Sequence, residues 1–466
     1  MARRDSLVAT AVPAIALILP GVRQTSLMRS IKSRKTPFWA AAIMVALGIV
    51  LAGLVGATAL RDAPFLKDGR AALGRLRSTG AQLVPRPLRR WLAGSGQPAT
   101  TIRLYDPVGL AEDARGNLYF ADRGEGRVMG LDVGHFIWRI GPDGHAEVIA
   151  GTGFEGTPGD GEPALEADLG DPAGLALDPE GRLHFADPRN HVVMRIEADG
   201  RLRRIAGTGR PGDGGDGGDA RAALLNQPYD VAFDGAGNLY IADHANHRVR
   251  KVTQGGVITT VAGTGAPGFT GDHGPATQAR LDGVYGVLAH PDGRLLIADS
   301  GNHVVRQVAA DGAITTFAGT GEAGSDGDGG PAVRARLNAP ESLFVDRTGR
   351  LYVGDEASHN IRVIDPDGTI KTLIGDGAPG YAVIGQPAGT APLNDPEYLL
   401  VRKDGTVVIS DGDTGRLLTI DLEGRVALVA GLAEHGIADA MGLFRNGDRD
   451  ARGAYQKRLR AAGLKE

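Results

Sequence analysis

The sequence predicts an all-β protein: a six-bladed β-propeller of four-stranded antiparallel blades, preceded by one transmembrane helix. Three observations carry this expectation. A 56-residue repeat runs through residues 101–435, each repeat divides into four short runs of strand composition, and a 23-residue uncharged apolar stretch precedes the array. A fixed long period marks stacked units, none of which buries its own faces alone.

Residues 1–37 form a basic N-terminus, and Phe38 to Leu60 (38–60) is long enough to cross a hydrocarbon core of roughly 30 Å. Arg29, Lys32, Arg34 and Lys35 lie just before it, so the positive-inside bias expects a cytoplasmic N-terminus and a propeller outside the cytoplasm, periplasmic or at the cell surface. The competing reading is a cleaved signal peptide ending near Ala57-Thr58-Ala59, against which stands the length of the apolar run. Met28 precedes a basic-then-apolar start, which leaves Met1 and Met28 as alternative first residues. Residues 61–100 carry eight Arg or Lys against two Asp and read as a juxtamembrane linker, either solvated or lying on anionic lipid. Residues 436–466 form a basic C-terminal tail.

Within the array, Asp187, Asp243, Asp299, Asp355 and Asp411 are each 56 positions apart, with Asp122 as a sixth member 65 positions upstream. His135, His191, His247, His303 and His359 keep the same 56-residue spacing, so the nine extra residues of the first repeat lie between Asp122 and His135. In the third repeat the strand runs are YDVAFD, GAGNLYIAD, HRVRKV and VITTVAGTG, with Gly-rich turns at the joints. Long connectors such as GTGRPGDGGDGGDARAALLNQP lead from each fourth strand to the innermost strand of the next blade. Four short strands repeated six times around an axis leave few exposed edges.

The recurrent wording P-x-G-V-A-x-D, G-N-L-Y-I-A-D, N-H-R-V-R-K-V and D-G-x-I-T-T-V-A-G-T-G resembles NHL repeats, and the AGTGxxGxxGDGGPA connectors are similar to those of bacterial and teneurin-type NHL propellers. The sixth unit departs by losing the Asn-His pair, and the fifth connector by losing the Gly-Asp wording. The resemblance implies a propeller fold and a binding role. Six-bladed propellers similar to lactonases add an alternative, a divalent ion held by a Glu at the start of an innermost strand together with Asn and Asp.

One Asp and one His per blade at equal angles cannot converge on one atom, so both columns read as structural, the Asp capping a turn and the His bonding between blades. The column that breaks symmetry follows the Pro that opens each innermost strand. Its members are Val108-Gly109, Ala173-Gly174, Tyr229-Asp230, Tyr285-Gly286, Glu341-Ser342 and Glu397-Tyr398, with Val284 in place of Pro in the fourth unit. Tyr229, Asp230, Tyr285, Glu341, Ser342, Glu397 and Tyr398 therefore make the expected ligand site at the mouth of the central channel. Carboxylates beside aromatic platforms suit sugars, amines or a hard metal ion, and the competing reading is that these side chains plug the channel. Asp160, Asp213, Asp216, Asp219, Asp272, Asp326 and Asp328 in the connectors suggest an acidic rim on the same face, and the insertion from Arg123 to Gly134 a wall beside it.

Composition narrows the function classes. Residues 101–444 hold 29 Lys and Arg against 49 Asp and Glu, which excludes the basic footprint of a nucleic-acid partner. Zero Cys excludes disulfides, thiolate nucleophiles and Cys-built zinc sites. The expectation is a membrane-anchored binding or scaffold module for a protein or carbohydrate ligand, with no cofactor. A metal-dependent hydrolase or lyase using a divalent cation is the alternative.

Overall fold

The computed structural model describes residues 95–123, 126–128 and 131–432. The expected membrane span at 38–60, the linker through residue 94 and the tail beyond 432 lie outside them. Among the described residues no helix is long and apolar enough to cross a membrane.

Six antiparallel sheets form the blades. Blade 3 shows the pattern: Pro228–Phe233 innermost, then Leu239–Asp243, Arg248–Val252 and the outer Ile258–Ala262. The innermost strands touch in a closed ring, with Pro107–Glu112 of blade 1 against both Leu175–Leu177 of blade 2 and Pro396–Val401 of blade 6. They approach closely because several lack a side chain at the contact. A Cβ on Gly286 would lie 2.0 Å from the Glu341 carbonyl, and one on Gly109 2.1 Å from that of Ala173.

Apolar and polar residues alternate along the strands, so each sheet offers an apolar face to each neighbouring blade. The result is six clusters, each in one gap between blades. The gap that closes the ring is filled by Phe120 and Trp138 of blade 1, stacked at 6.1 Å, against Leu400 and Leu417 of blade 6.

The connectors shield blade edges. Each runs beside the outer strand of the blade it enters, as where Gly161 N–H donates to the Leu202 carbonyl and Leu202 N–H to that of Glu162. Residues 95–106 do the same for blade 1: Gln97–Pro98 pairs with His145–Ala150, and Gly431 N–H donates to the Ala99 carbonyl. This segment, SGQPATTIRLYD, is the second half of a connector. The described residues thus begin inside a connector, which Gly431 meets at Ala99, and each blade is one continuous stretch.

The repeat columns have structural partners. Each strand-two Asp accepts backbone N–H groups from the segment entering its blade, for example Tyr105 and Asp106 at 3.0 and 2.9 Å for Asp122, and Asn226 at 2.7 Å for Asp243. A 3-10 turn follows in blades 2 to 6 and ends on a left-handed residue, with φ between 51° and 63° from His191 to Gly415. Nδ1 of His191, His247 and His303 accepts the backbone N–H of Gln227, Gly283 and Ala339, each in the segment entering the next blade. In blade 6 the position is Gly415, where an added Cβ would lie 2.5 Å from the Leu104 carbonyl.

The connector aspartates expected to form an acidic rim are exposed, and each has a partner. Asp216, Asp272 and Asp328 bind the fully buried guanidinium groups of Arg250, Arg306 and Arg362 and accept the backbone N–H of Thr260, Thr316 and Thr372. Asp160 pairs with Arg221, Asp213 with Arg248 and Asp326 with Arg336, while Asp219 caps the turn that follows it. A buried guanidinium is tolerated only when paired, and Asp216, Asp272 and Asp328 supply that pairing to Arg250, Arg306 and Arg362 while staying partly exposed.

Candidate site at the channel mouth

Three positions of each repeat meet at the mouth. The residues before the innermost-strand Pro position are Asp106, Asp171, Gln227, Gly283, Ala339 and Asp395. Those after it are Val108, Ala173, Tyr229, Tyr285, Glu341 and Glu397, and those after the strand-two Asp are Arg123, Pro188, His244, Ser300, Glu356 and Gly412.

Side chains alternate along a strand, and this splits the seven expected residues. Tyr229, Tyr285, Glu341 and Glu397 share the mouth. Their neighbours in sequence do not. Asp230 is buried and its carboxylate accepts Val287 N–H at 3.0 Å, an inter-blade bond. Ser342 is buried against Gly354, whose added Cβ would lie 2.4 Å from Ser342 Oγ. Tyr398 reaches across the axis, its hydroxyl donating to the Tyr229 carbonyl at 3.2 Å. The plug reading therefore describes Tyr398, which crosses the axis.

The mouth has two chemically different halves. On blades 3 and 4, His244 packs against Tyr229 at 5.1 Å and Tyr285 at 4.2 Å, and the tyrosine rings lie 4.7 Å apart. Burial holds His244 neutral, its pKa lowered to about 4. The other four blades supply six carboxylates: Asp106, Asp171, Glu341, Glu356, Asp395 and Glu397. Arg123 is the one basic side chain at these eighteen positions. It bonds Asp106 at 3.1 Å and also Glu397.

Electrostatics follow from that imbalance. Burial, then the neighbouring Glu356 and Asp395 carboxylates, hold Glu341 well above the usual carboxylate range. Burial and Asp395 push Glu356 up to about 7, and burial lifts Asp171 to about 6 despite Arg123. Glu397 is raised by burial, with Arg123 opposing. Among the described residues, oxygens of Asp106, Asp395 and Glu397 lie within 4.8 Å of one another, the one acidic trio spaced to hold a metal ion.

Asp106, Asp171 and Asp395, together with Arg123, His244 and Glu356, are the mouth residues that sequence reasoning did not select. The signal was available. The position after the strand-two Asp changes from blade to blade as sharply as the one that was followed.

With this geometry in place, residues 225–252 match the NHL repeat family and residues 317–379 the teneurin NHL domain family. The matched segments lie in blade 3 and across blades 4 and 5. Zebrafish (Danio rerio) teneurin-3 is 32% identical over 251 residues, covering 47% of this chain and 9% of teneurin-3. Human (Homo sapiens) teneurin-4 is 31% identical over 253 residues, again 47% of the chain and 9% of the relative. Chicken (Gallus gallus) NHL repeat-containing protein 2 is 28% identical over 297 residues, 56% of this chain and 40% of that protein. The chain thus spans less than a tenth of the teneurins it matches. Among solved structures, a protein of unknown function from Bacteroides thetaiotaomicron VPI-5482 aligns over 71% of both chains with a TM-score of 0.50 and 16% identity, a likeness of fold. In this propeller the Asp and His columns belong to the repeat, whereas the mouth residues are what distinguishes one blade from another.

Proposed function

We propose that this NHL propeller is a binding module, held outside the cytoplasm by residues 38–60, whose channel mouth engages a protein or carbohydrate ligand. One observation carries the reading: the mouth is where the six repeats differ most, with an aromatic half and an acidic half. A repeat that served packing alone has no need of such asymmetry, and convergent polar groups beside aromatic surface are the usual makings of a ligand site.

The test is to probe protein and glycan arrays with the full chain and with its Tyr285→Ala and Glu341→Gln variants. Ligands lost from both variants support the reading. Ligands retained by both would place binding elsewhere on the propeller.

The Asp106, Asp395 and Glu397 trio favours a second reading, a metal-dependent hydrolase or lyase. Arg123 stands against it, because a guanidinium bonded to two of the three carboxylates competes with any divalent ion for the same oxygens. Metal analysis of the purified full chain, repeated with Arg123→Gln, separates the two.

A further inference from the structure

Every cation that enters the mouth meets one already there. The guanidinium of Arg123 is seated between Asp106 of blade 1 and Glu397 of blade 6, so the structure itself shows what chemical group this surface holds. Arg123 sits at the start of the enlarged blade-1 loop, which carries the paired strands Gly126–Val128 and Leu131–Val133. The occupant answers two carboxylates, and the mouth has more. The Glu341 carboxylate stands among the charges of Glu356, Asp395, Arg123 and Asp106, Asp395 hydrogen-bonds Glu356 and Glu397 with Asp106 and Arg123 also near it, and Asp413 and Asp355 add to the negative charge around Glu356. Tyr229 and Tyr285, with rings 4.7 Å apart, both feel the Glu341 charge.

We propose that the mouth captures a second guanidinium or ammonium group, an exposed arginine or lysine side chain of a partner protein, among Glu341, Glu356, Tyr229 and Tyr285. This rests on the reading of the mouth as the ligand site and adds the chemistry of what enters it. Two features fit such a side chain better than a bare ion. A planar cation stacks on tyrosine and simultaneously bonds a carboxylate, which a hydrated metal does not. The uncompensated carboxylates retain protons through burial and mutual repulsion, and an entering cation displaces them.

The probe is a capped Gly-Arg-Gly peptide, titrated into the full chain by calorimetry beside its citrulline counterpart, which keeps shape and loses charge. The arginine peptide is expected to saturate and the citrulline peptide to bind at least tenfold more weakly. Glu341→Gln and Glu356→Gln should each weaken the arginine peptide at least fivefold, while Glu423→Gln in an exposed turn leaves it unchanged. Arg123→Gln, which releases Asp106 and Glu397, should tighten it. Equal binding of the citrulline peptide, or no saturation up to about 10 mM, overturns the proposal, as does calcium chloride alone saturating the site and excluding the peptide. A ligand found on the arrays that needs Tyr285 but is neutral would overturn this inference and leave the binding-module reading standing. Arginine-peptide binding indifferent to Glu341 and Glu356 would overturn this inference, and only array ligands that also ignore Tyr285 and Glu341 would remove the binding-module reading.

Discussion

The Tyr398 hydroxyl donates to the Tyr229 carbonyl at 3.2 Å, joining blade 6 to blade 3 across the propeller axis. Inner-strand side chains at the equivalent positions of blades 1, 2 and 4 are glycines, and their absence makes room for one tyrosine to cross. Burial pushes the Tyr398 phenol far above its ordinary pKa, so it remains a donor at any physiological pH.

Removing that hydroxyl and removing that ring have different costs. Tyr398→Phe deletes one hydrogen bond and should cost about 1 kcal/mol in denaturant unfolding. Tyr398→Ala opens a cavity on the axis and should cost about 3–5 kcal/mol. Equal effects of the two would show that the ring does not fill the space on the axis.

The buried arginines make a second set of testable pairs. Arg250 bonds Asp216 at 2.6 Å and Asp243 at 3.3 Å. The same pair recurs in blades 4 and 5, yet blade 6 has Leu418 and Ile384 at the two positions, so both charges are absent together. Arg250→Leu should cost about 3 kcal/mol because it strands a buried carboxylate, while Arg250→Leu with Asp216→Ile should cost less than the sum of the single changes by more than about 1 kcal/mol. Additive costs in the double-mutant cycle would dissolve the pairing.

The fold could be read from the sequence because 56-residue repetition reports each strand and turn up to six times. The site was only half legible. Tyr229, Tyr285, Glu341 and Glu397 stood out by their asymmetry, whereas Arg123, His244 and Glu356 were hidden within what reads as an ordinary turn after the Asp column. Asp230 and Ser342 were selected because adjacency in sequence was taken for adjacency at the site, and strand alternation turns them the other way. The arginine partners of the connector aspartates were missed for a related reason. Arg250 lies in a strand, HRVRKV, whose charges look solvated, and the partner that buries it is 34 residues away, a distance that sequence spacing alone does not bridge.

The His column can be tested by exploiting its left-handed backbone. His247 has φ 51° and accepts Gly283 N–H at 3.0 Å. His247→Ala keeps the strained conformation and leaves that N–H unpaired, whereas His247→Gly loses the bond but relieves the strain. Glycine should therefore be the milder change by about 1 kcal/mol, consistent with Gly415 serving in blade 6. An alanine variant as stable as the glycine variant would show that the left-handed backbone at this position carries no strain cost.

Asp230 sets a pH dependence whose sign is unambiguous. Burial raises its pKa to about 7, while Val287 N–H opposes, and in the unfolded chain the carboxyl returns to its ordinary value near 4. The folded state therefore holds the proton more tightly. Its contribution to stability is complete below about pH 4 and is lost as pH rises through 7. Asp230→Asn keeps an oxygen to accept the Val287 N–H and carries no charge at any pH. The variant should gain stability over the wild type as pH increases from 4 to 8, by on the order of 2–4 kcal/mol, and the two should converge at pH 4. Unfolding curves at pH 4, 6 and 8 measure the difference, and a gap that stays constant across that range would mean that the buried carboxylate does not titrate there.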